Sequence, residues 1–201
     1  DYNANYPNGL YVADENGTVI KADESEQNFS DVTNSTWYKE GLTRINMKYG
    51  SAYESEDGTK QVSASAMLND GSGRIRIISA DVSLQRIAII VNSFVKMNDA
   101  AAFLVDTNDG TILAHRDASL VSTKLDTSNS DAFLSSVADK IDNVNYDTCE
   151  LNGNLTGFET ITGTDWVLVS YIPDKIIYAN VKSLRLKMIT IAVIALIILL
   201  V

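Results

Sequence analysis

Two separate stretches of the chain each contain an apolar strand-like run, a tight-turn signal and a second such run. One stretch, near the N-terminus, carries Asn16-Gly17, and the other, midway along the chain, carries Asp109-Gly110. Such dipeptides favour hairpin turns, because these turns need a positive φ that glycine adopts without strain. The pattern therefore predicts one β-hairpin in each stretch, as two copies of one unit.

Each predicted hairpin is followed by a second β-rich section with turn residues, at residues 60–84 and 155–174. A hairpin, a helix and another hairpin thus occur twice, which predicts an α+β fold of two tandem modules, each an antiparallel sheet with flanking helices. We place the first module at residues 1–83 and the second at residues 99–173.

Apolar residues at helical spacing predict three helices. One begins near residues 34–36, which are all possible caps, and runs through Trp37, Leu42 and Ile45. A connecting helix is predicted over residues 84–98, between the modules. The third helix has one apolar face, formed by Phe133, Leu134, Val137 and Ile141.

The C-terminal residues 188–201 contain no charged side chain, and the amphipathic residues 174–187 precede them. Crossing a bilayer takes about 20 apolar residues, and this run is still apolar where the sequence stops. We therefore predict a juxtamembrane helix over residues 174–187 and the start of a transmembrane helix over residues 188–201, in a chain cut from a longer membrane protein. The alternative, a buried C-terminal helix, would normally show a polar face.

Composition narrows the possible partners. The 201-residue chain carries a formal net charge of -10, which repels phosphate backbones and excludes nucleic acid as an expected partner. Cys149 is the one cysteine and His115 the one histidine, so neither an internal disulfide nor a Cys/His metal cluster is available. A eukaryotic secreted domain would more often have paired cysteines, so a bacterial surface is favoured.

Catalytic motifs are absent from the sequence: it has no phosphate-binding loop, nucleophile elbow or zinc-protease helix. Cys149 and His115 could form a thiol–base pair, but an isolated thiol and a strand-end histidine are the simpler interpretation. We therefore predict a protein that is not an enzyme, with no catalytic residue, cofactor or metal.

Four residues indicate a binding site instead. Trp37 and Tyr38 open a predicted helix, Tyr53 follows in a polar loop, and Asp81 interrupts an apolar strand. A buried ionised carboxylate needs a cationic partner, and aromatic rings beside one carboxylate suit an ammonium group. In the alternative interpretation, Trp37 belongs to the core, Tyr53 lies on the surface and Asp81 caps the next helix.

Several motifs, taken in order, resemble those of a known family. They are PNGLYVADENGTVI, TWYKEGL, ISADVSL, FLVDTNDGTILAHRD and GTDWVLVSYIP ahead of the predicted membrane helix. The chain resembles the double Cache family, the tandem PAS-like extracytoplasmic sensor domains of bacterial chemoreceptors, sensor kinases and diguanylate cyclases. The resemblance covers nearly all of the chain and implies that the first, membrane-distal module binds a ligand.

The resemblance also implies roles for individual positions. In relatives that bind amino acids, an arginine two residues before the Trp-Tyr pair binds the ligand carboxylate, and an aspartate at the position of Asp81 binds the amino group. Ser35 stands where that arginine would be, and without a guanidinium fork bidentate carboxylate capture is lost. We therefore expect an amine more than an amino acid, although Arg44 or Lys39 could replace the missing cation.

The expected protein is a small-molecule sensor on the outer side of a bacterial cell membrane, anchored by its C-terminal helix and forming a homodimer. A chemotaxis receptor is the favoured output, and a histidine kinase or diguanylate cyclase input domain is the alternative. Three rivals stay open: a sensor that docks a binding protein and pairs Asp81 internally, a membrane-anchored extracellular enzyme, and a structural ectodomain.

Overall fold

The computed structural model of the protein describes residues 10–21, 26–28, 31–95, 99–179 and 188. Its first sheet is antiparallel and has seven strands. These are β1 (Leu10–Asp14), β2 (Thr18–Lys21), β3 (Glu26–Asn28), β4 (Lys48–Tyr49), β5 (Tyr53–Glu54), β6 (Lys60–Met67) and β7 (Arg76–Ser83). The strand order is β3-β2-β1-β7-β6-β4, and β5 also pairs with β6.

The second sheet is antiparallel as well and has five strands in the order β10-β11-β12-β8-β9. They are β8 (Ala101–Asp106), β9 (Ile112–Ala114), β10 (Cys149–Leu151), β11 (Asn154–Ile161) and β12 (Trp166–Pro173). In both sheets the first hairpin lies beside the last strand of a later hairpin, so the two sheets share one strand plan. The predicted α+β fold with two antiparallel sheets is confirmed.

Both predicted turns are present. The β1–β2 turn has Gly17 at a φ of 83°, and the β8–β9 turn has Gly110 at a φ of 72°. The carboxylate before each turn also shapes it, because Asp14 accepts the Asn16 backbone N–H and Asp106 accepts that of the residue two positions on.

The helices in the described part of the chain include α1 (Thr36–Gly41), α2 (Leu84–Phe94) and α3 (Ala132–Asp142). Helix α1 is shorter than predicted. Gly41 packs so closely on the first sheet that an added Cβ would lie 2.4 Å from an Ile77 methyl group. Beyond it the chain turns away, and Ile45, predicted to lie on the helix, is 90% exposed. Helix α2 begins as predicted but ends before residue 95.

Three hydrophobic clusters hold these elements together. One lies between the first sheet and α1, and another lies between the second sheet and α3. The middle cluster joins the two sheets through α2, and its members include Val62, Val82, Leu84, Ile87, Val91, Ala102, Leu104 and Trp166. The predicted apolar face of α3 is confirmed by the burial of Leu134, Val137 and Ile141. Burial of this apolar area is the main stabilising contribution to such a fold.

After β12 the chain is helical over residues 174–179, where the juxtamembrane helix was predicted to begin. Residues 180–187 and 189–201 lie outside the described residues, and with them most of the predicted transmembrane segment. Among the residues that are described, none of the helices has the length and apolar character needed to cross a bilayer.

Candidate ligand-binding site

A cavity of about 760 Å³ lies over the first sheet. Its floor is formed by residues of β1, β6 and β7, and its walls by the residues leading into α1 and by the β5–β6 turn. Cavities of this size, lined by aromatic side chains and a few convergent polar groups, are typical of small-molecule sites. The cavity therefore is the candidate site.

Asp81 lies on the floor of this cavity and is only 6% exposed. One of its oxygens, Oδ1, accepts two hydrogen bonds of 2.6 Å, from the Tyr11 hydroxyl and from the Ser63 hydroxyl. None of the described residues donates to the other oxygen, Oδ2, and none of their salt bridges includes Asp81. Within the described residues the carboxylate is thus held in place by two neutral donors on one of its oxygens.

The hydrogen bonds at Asp81 continue along β6. The Tyr53 hydroxyl lies 2.6 Å from the Ser63 hydroxyl, and the Gln61 side-chain amide donates to the Tyr53 oxygen at 2.8 Å. Since the single Ser63 hydroxyl proton goes to Asp81, Tyr53 donates to Ser63. The chain of donors from Gln61 therefore ends on the carboxylate and fixes its orientation.

The two tyrosines remain protonated in this arrangement. Burial, and after it the Asp81 carboxylate, hold the pKa of Tyr11 far above its usual range. Burial and the same carboxylate raise the pKa of Tyr53 to about 12. Both phenols therefore act as hydrogen-bond donors at any physiological pH.

Trp37 forms an aromatic wall of the cavity at the N-terminal end of α1. Its ring meets the Tyr11 ring edge-on, with the ring centroids 5.0 Å apart. Trp37 is 8% exposed, so it belongs to the core and lines the cavity at once. The interpretation of Trp37 as a core residue is therefore right, and its role in ligand binding stays a prediction.

The structure brings three of the four predicted residues together, since Trp37, Tyr53 and Asp81 all line the cavity. Tyr38 does not line it; this residue is buried against Trp37, with the ring centroids 5.8 Å apart. Tyr53 lies in strand β5 and is half-buried, so the expectation of a polar loop is wrong there.

The interpretation of Asp81 as a helix cap is wrong. The residue that caps α2 is Ser83, whose hydroxyl accepts the Arg86 backbone N–H at 3.3 Å.

The cationic substitutes suggested by the sequence lie elsewhere. Arg44 pairs with Glu40 at 3.5 Å and donates to the Lys48 carbonyl, and neither Arg44 nor Lys39 lines the cavity. Ser35, at the position of the expected arginine, does line it, as does Lys21 at the end of β2. Within the described part of the chain, four carboxylates share the lining with this lysine: Glu54, Glu56, Asp57 and Asp81.

Sequence reasoning missed Tyr11, Gln61, Ser63 and Lys21. The strand segment from Gln61 to Ser65 alternates polar residues with small apolar ones, and this alternation is a signal that one face of β6 borders a polar site. Tyr11 had no such signal, because it meets Asp81 only through pairing of strands that lie 70 residues apart in sequence.

Two further hydroxyls lie on the same face, under α1. Ser65 and Ser79 are opposite each other on β6 and β7, both are fully buried, and neither hydroxyl forms a hydrogen bond with any of the described residues. An unsatisfied buried hydroxyl costs about 1–3 kcal/mol, so this face is polar at the expense of stability. Within the described residues, no three His, Cys, Asp or Glu side chains form a metal-ligating group.

Comparisons with known proteins bear on the fold. The sequence matches no family model, and no curated protein matches it either. Several solved structures are similar, however, and they include ligand-binding domains of chemoreceptors and extracellular domains of histidine kinases.

One is the extracellular domain of the putative histidine kinase mmHK1S-Z3, which is 18% identical with a TM-score of 0.70; the alignment covers 90% of this chain and 78% of that one. A second is the ligand-binding domain of the Pseudomonas aeruginosa PAO1 amino acid chemoreceptor PctB in complex with L-Gln, at 21% identity, TM-score 0.63, and 91% and 75% coverage. A third is the ligand-binding domain of the Pseudomonas fluorescens chemoreceptor CtaA in complex with L-serine, at 17% identity, TM-score 0.62, and 83% and 72% coverage.

These similarities establish the fold, which is that of the Cache-type sensor domains of chemoreceptors and histidine kinases. The predicted resemblance to the double Cache domains is thereby confirmed at the level of the fold. Function is a separate question, because one fold carries many functions and the site has to decide between them.

Proposed function

We propose that this chain is the extracytoplasmic sensor domain of a bacterial membrane receptor and that its cavity binds a small ligand bearing an ammonium group. The observation that carries the proposal is Asp81, a buried carboxylate oriented by Tyr11 and Ser63 and presented to a cavity with an aromatic wall. A buried ionised carboxylate without a cationic partner is costly, and a ligand ammonium group would remove that cost through a charge-assisted hydrogen bond.

The rings around the carboxylate support the same ligand class. Trp37 and Tyr53 line the cavity beside Asp81, and a cation over an aromatic face gains about 0.5–2 kcal/mol, depending on desolvation. Among the described residues the lining holds four carboxylates and one lysine, which disfavours a purely anionic ligand. A rival sensor that docks a binding protein was expected to pair Asp81 with Lys or Arg, and no such pair occurs among the described residues.

An amino acid is the second candidate ligand. Two of the similar solved structures are complexes with L-Gln and L-serine, and in this chain Lys21 could face the ligand carboxylate. Ser35 at the wall cannot supply a bidentate guanidinium contact, so an amine is preferred. In either case the ammonium half of the ligand would contact Asp81.

The proposed role is sensing and not catalysis. Ligand binding in the first module would shift the populations of two receptor states, and the change would pass through the second module and the helix that begins at residue 174 into the membrane. A dimeric chemotaxis receptor is our preferred output, and a histidine kinase or a diguanylate cyclase is the alternative.

A thermal-shift screen tests this proposal. The probes are methylamine, ethanolamine and phenethylamine as amines, L-serine and L-Gln as amino acids, and acetate and succinate as carboxylates. We expect amines to raise the melting temperature of the wild type. The Asp81→Asn variant should lose this response and bind amines about 10–100-fold more weakly, since hydrogen bonds to charged groups contribute about 1.5–3 kcal/mol.

The matched control is Glu159→Gln, which removes a carboxylate from an exposed position of β11 outside the cavity. It should keep the wild-type response. Stabilisation by amino acids that disappears in Lys21→Met would favour the second candidate. A response confined to acetate and succinate would contradict both candidates.

A further inference from the structure

One short segment contacts both the cavity and the second sheet. This linking segment, residues 48–53, contains β4 and the first residue of β5. At its start, the Lys48 ammonium group lies 2.5 Å from the Asp165 carboxylate, and the Tyr49 ring packs on the Trp166 ring with centroids 4.7 Å apart. Trp166 is the first residue of β12 and Asp165 immediately precedes it, so this end of the segment is docked at the edge of the second sheet.

The other end of the segment contacts Ser63, the residue that donates to Asp81. The Gly50 backbone N–H donates to the Ser63 carbonyl at 3.0 Å, and the Tyr53 hydroxyl lies 2.6 Å from the Ser63 hydroxyl. A displacement of the segment would therefore move both the main chain and the side chain of the residue that holds the carboxylate.

Helix α1 and the loop that follows it hold the segment at its first residue and at its middle. The Glu40 carboxylate accepts the Ser51 backbone N–H at 3.0 Å, and Arg44 donates to the Lys48 carbonyl at 2.9 Å. Glu40 passes so close to Gly50 that an added Cβ would lie 1.5 Å from its carboxylate oxygen. Since Glu40 lies one turn after Trp37, the aromatic wall and the segment form one packed unit.

Asp165 ties the segment into the first hairpin of the second sheet. Its carboxylate also accepts the Asn108 side-chain amide at 2.8 Å, and its backbone carbonyl accepts both the amide and the hydroxyl of Thr107 at 2.8 Å. Lys48, followed by Asn108, holds the pKa of Asp165 below its usual value. The charged form is therefore the one favoured at this contact.

We propose that Lys48, Tyr49, Asp165 and Trp166 are positioning residues through which the second sheet sets the ligand affinity of the cavity. They act through Tyr53 and Ser63 and touch no ligand themselves. This inference rests on the proposed function, since it assumes that the cavity binds a ligand. By thermodynamic reciprocity, ligand binding at Asp81 changes the stability of the Lys48–Asp165 contact by the same factor.

Residue-resolved amide hydrogen exchange on the ligand-free protein tests the coupling, and it does so without a known ligand. Asp165→Asn should accelerate exchange at Gly50 and Ser51 in the first sheet by roughly two- to fivefold, the range expected for loss of one exposed ion pair. Tyr53→Phe, a change inside the cavity, should accelerate exchange at Thr107 in the second sheet. If Asp165 and Tyr53 had only local structural roles, the exchange rates of these amides in the other sheet's region would not change.

Two controls separate coupling from general destabilisation. Asp109→Asn removes another ion pair of the same hairpin, Lys124–Asp109 at 2.5 Å, which makes no contact with the linking segment; it should leave Gly50 and Ser51 unchanged. Lys48→Met should reproduce Asp165→Asn, whereas Lys48→Arg should restore protection because it keeps the charge.

The outcomes are distinct from those of the ligand screen. If each substitution changes exchange only in its own sheet, the coupling is refuted whatever the cavity binds. If each substitution changes exchange in the other sheet and no amine binds, the proposed ligand class is wrong while the coupling between the sheets stands.

Discussion

The two sheets have the same strand plan, but their side chains differ on the face that a helix covers. This face lies under α1 in the first sheet and under α3 in the second. Asp14 is the last residue of β1, and Asp106 is the last residue of β8. When these two residues are aligned, the pairing of neighbouring strands gives the equivalent positions in the two sheets. Tyr11 then corresponds to Phe103. The Tyr11 hydroxyl donates to the Asp81 carboxylate, whereas Phe103 is fully buried among apolar side chains.

In the same alignment, the residues at the centre of the candidate site correspond to residues in or beside the apolar cluster of the second sheet. Asp81 corresponds to Tyr171, and its partner Ser63 corresponds to Thr156. The Tyr171 ring packs against Phe133, with centroids 4.7 Å apart, and against Phe103. Rings in the second sheet therefore occupy the region that corresponds to the cavity over the first.

The unsatisfied serines show the same contrast. Ser79 corresponds to Val169 and Ser65 corresponds to Phe158, and both second-sheet residues belong to the apolar cluster beneath α3. The comparison teaches that this strand plan does not require a polar face. The polarity of the first sheet is a local property of its side chains, and it lowers stability where it creates a site.

The largest predicted effect concerns the apolar face of the second sheet, under α3. Phe103→Ala should lower the free energy of unfolding by about 3–5 kcal/mol, since a fully buried ring would be replaced by a cavity. Urea denaturation followed by circular dichroism measures this change. Tyr11→Phe, which keeps the equivalent ring in the first sheet, should cost far less; an equal cost would show that the two faces do not differ in packing.

A smaller effect separates two serines on the same face of β6. Ser63→Ala should destabilise the protein by about 1.5–3 kcal/mol, because the Asp81 carboxylate loses a donor. Ser65→Ala should be neutral or stabilising, because the hydroxyl that it removes is buried without a partner. The same denaturation experiment compares the two variants, and the opposite ranking would contradict the hydrogen-bond assignment.

The smallest predicted effect is on the pH dependence of stability. A tyrosine is neutral when protonated, so a raised pKa means that the folded protein keeps this proton at a pH where the unfolded chain has lost it. The resulting stabilisation is complete below about pH 10 and is lost as the pH rises through the pKa of the folded state, about 12 for Tyr53. Stability should therefore fall above about pH 10.

The same measurement distinguishes the two sheets. Burial also raises the pKa of Tyr171, but the nearby Arg116 opposes the shift, whereas Asp81 reinforces it at Tyr53. Tyr53→Phe should thus flatten the alkaline decline in stability more than Tyr171→Phe. Denaturation curves recorded from pH 9 to about pH 11.5 measure both slopes, and equal flattening would remove the proposed influence of Asp81.

Local chemistry made much of the fold predictable. The turns at Gly17 and Gly110 follow from dihedral preferences, and the apolar face of α3 follows from the spacing of apolar residues. Both features depend only on residues that are close together in sequence, so both could be predicted. The end of α1 was not predictable, because the contact of Gly41 with Ile77 is tertiary. For the same reason the sequence indicated Asp81 as a site residue but not Tyr11, its hydrogen-bond donor across the sheet.

The chain contains two tryptophans, and they mark the two ends of the proposed coupling. Trp37 forms a wall of the cavity, and Trp166 packs on Tyr49 where the linking segment meets the second sheet. The Trp166→Phe and Trp37→Phe variants therefore each leave a single tryptophan, Trp37 reporting on the cavity and Trp166 on the docking contact. The emission of the protein itself can thus follow both ends during a titration, without an attached dye.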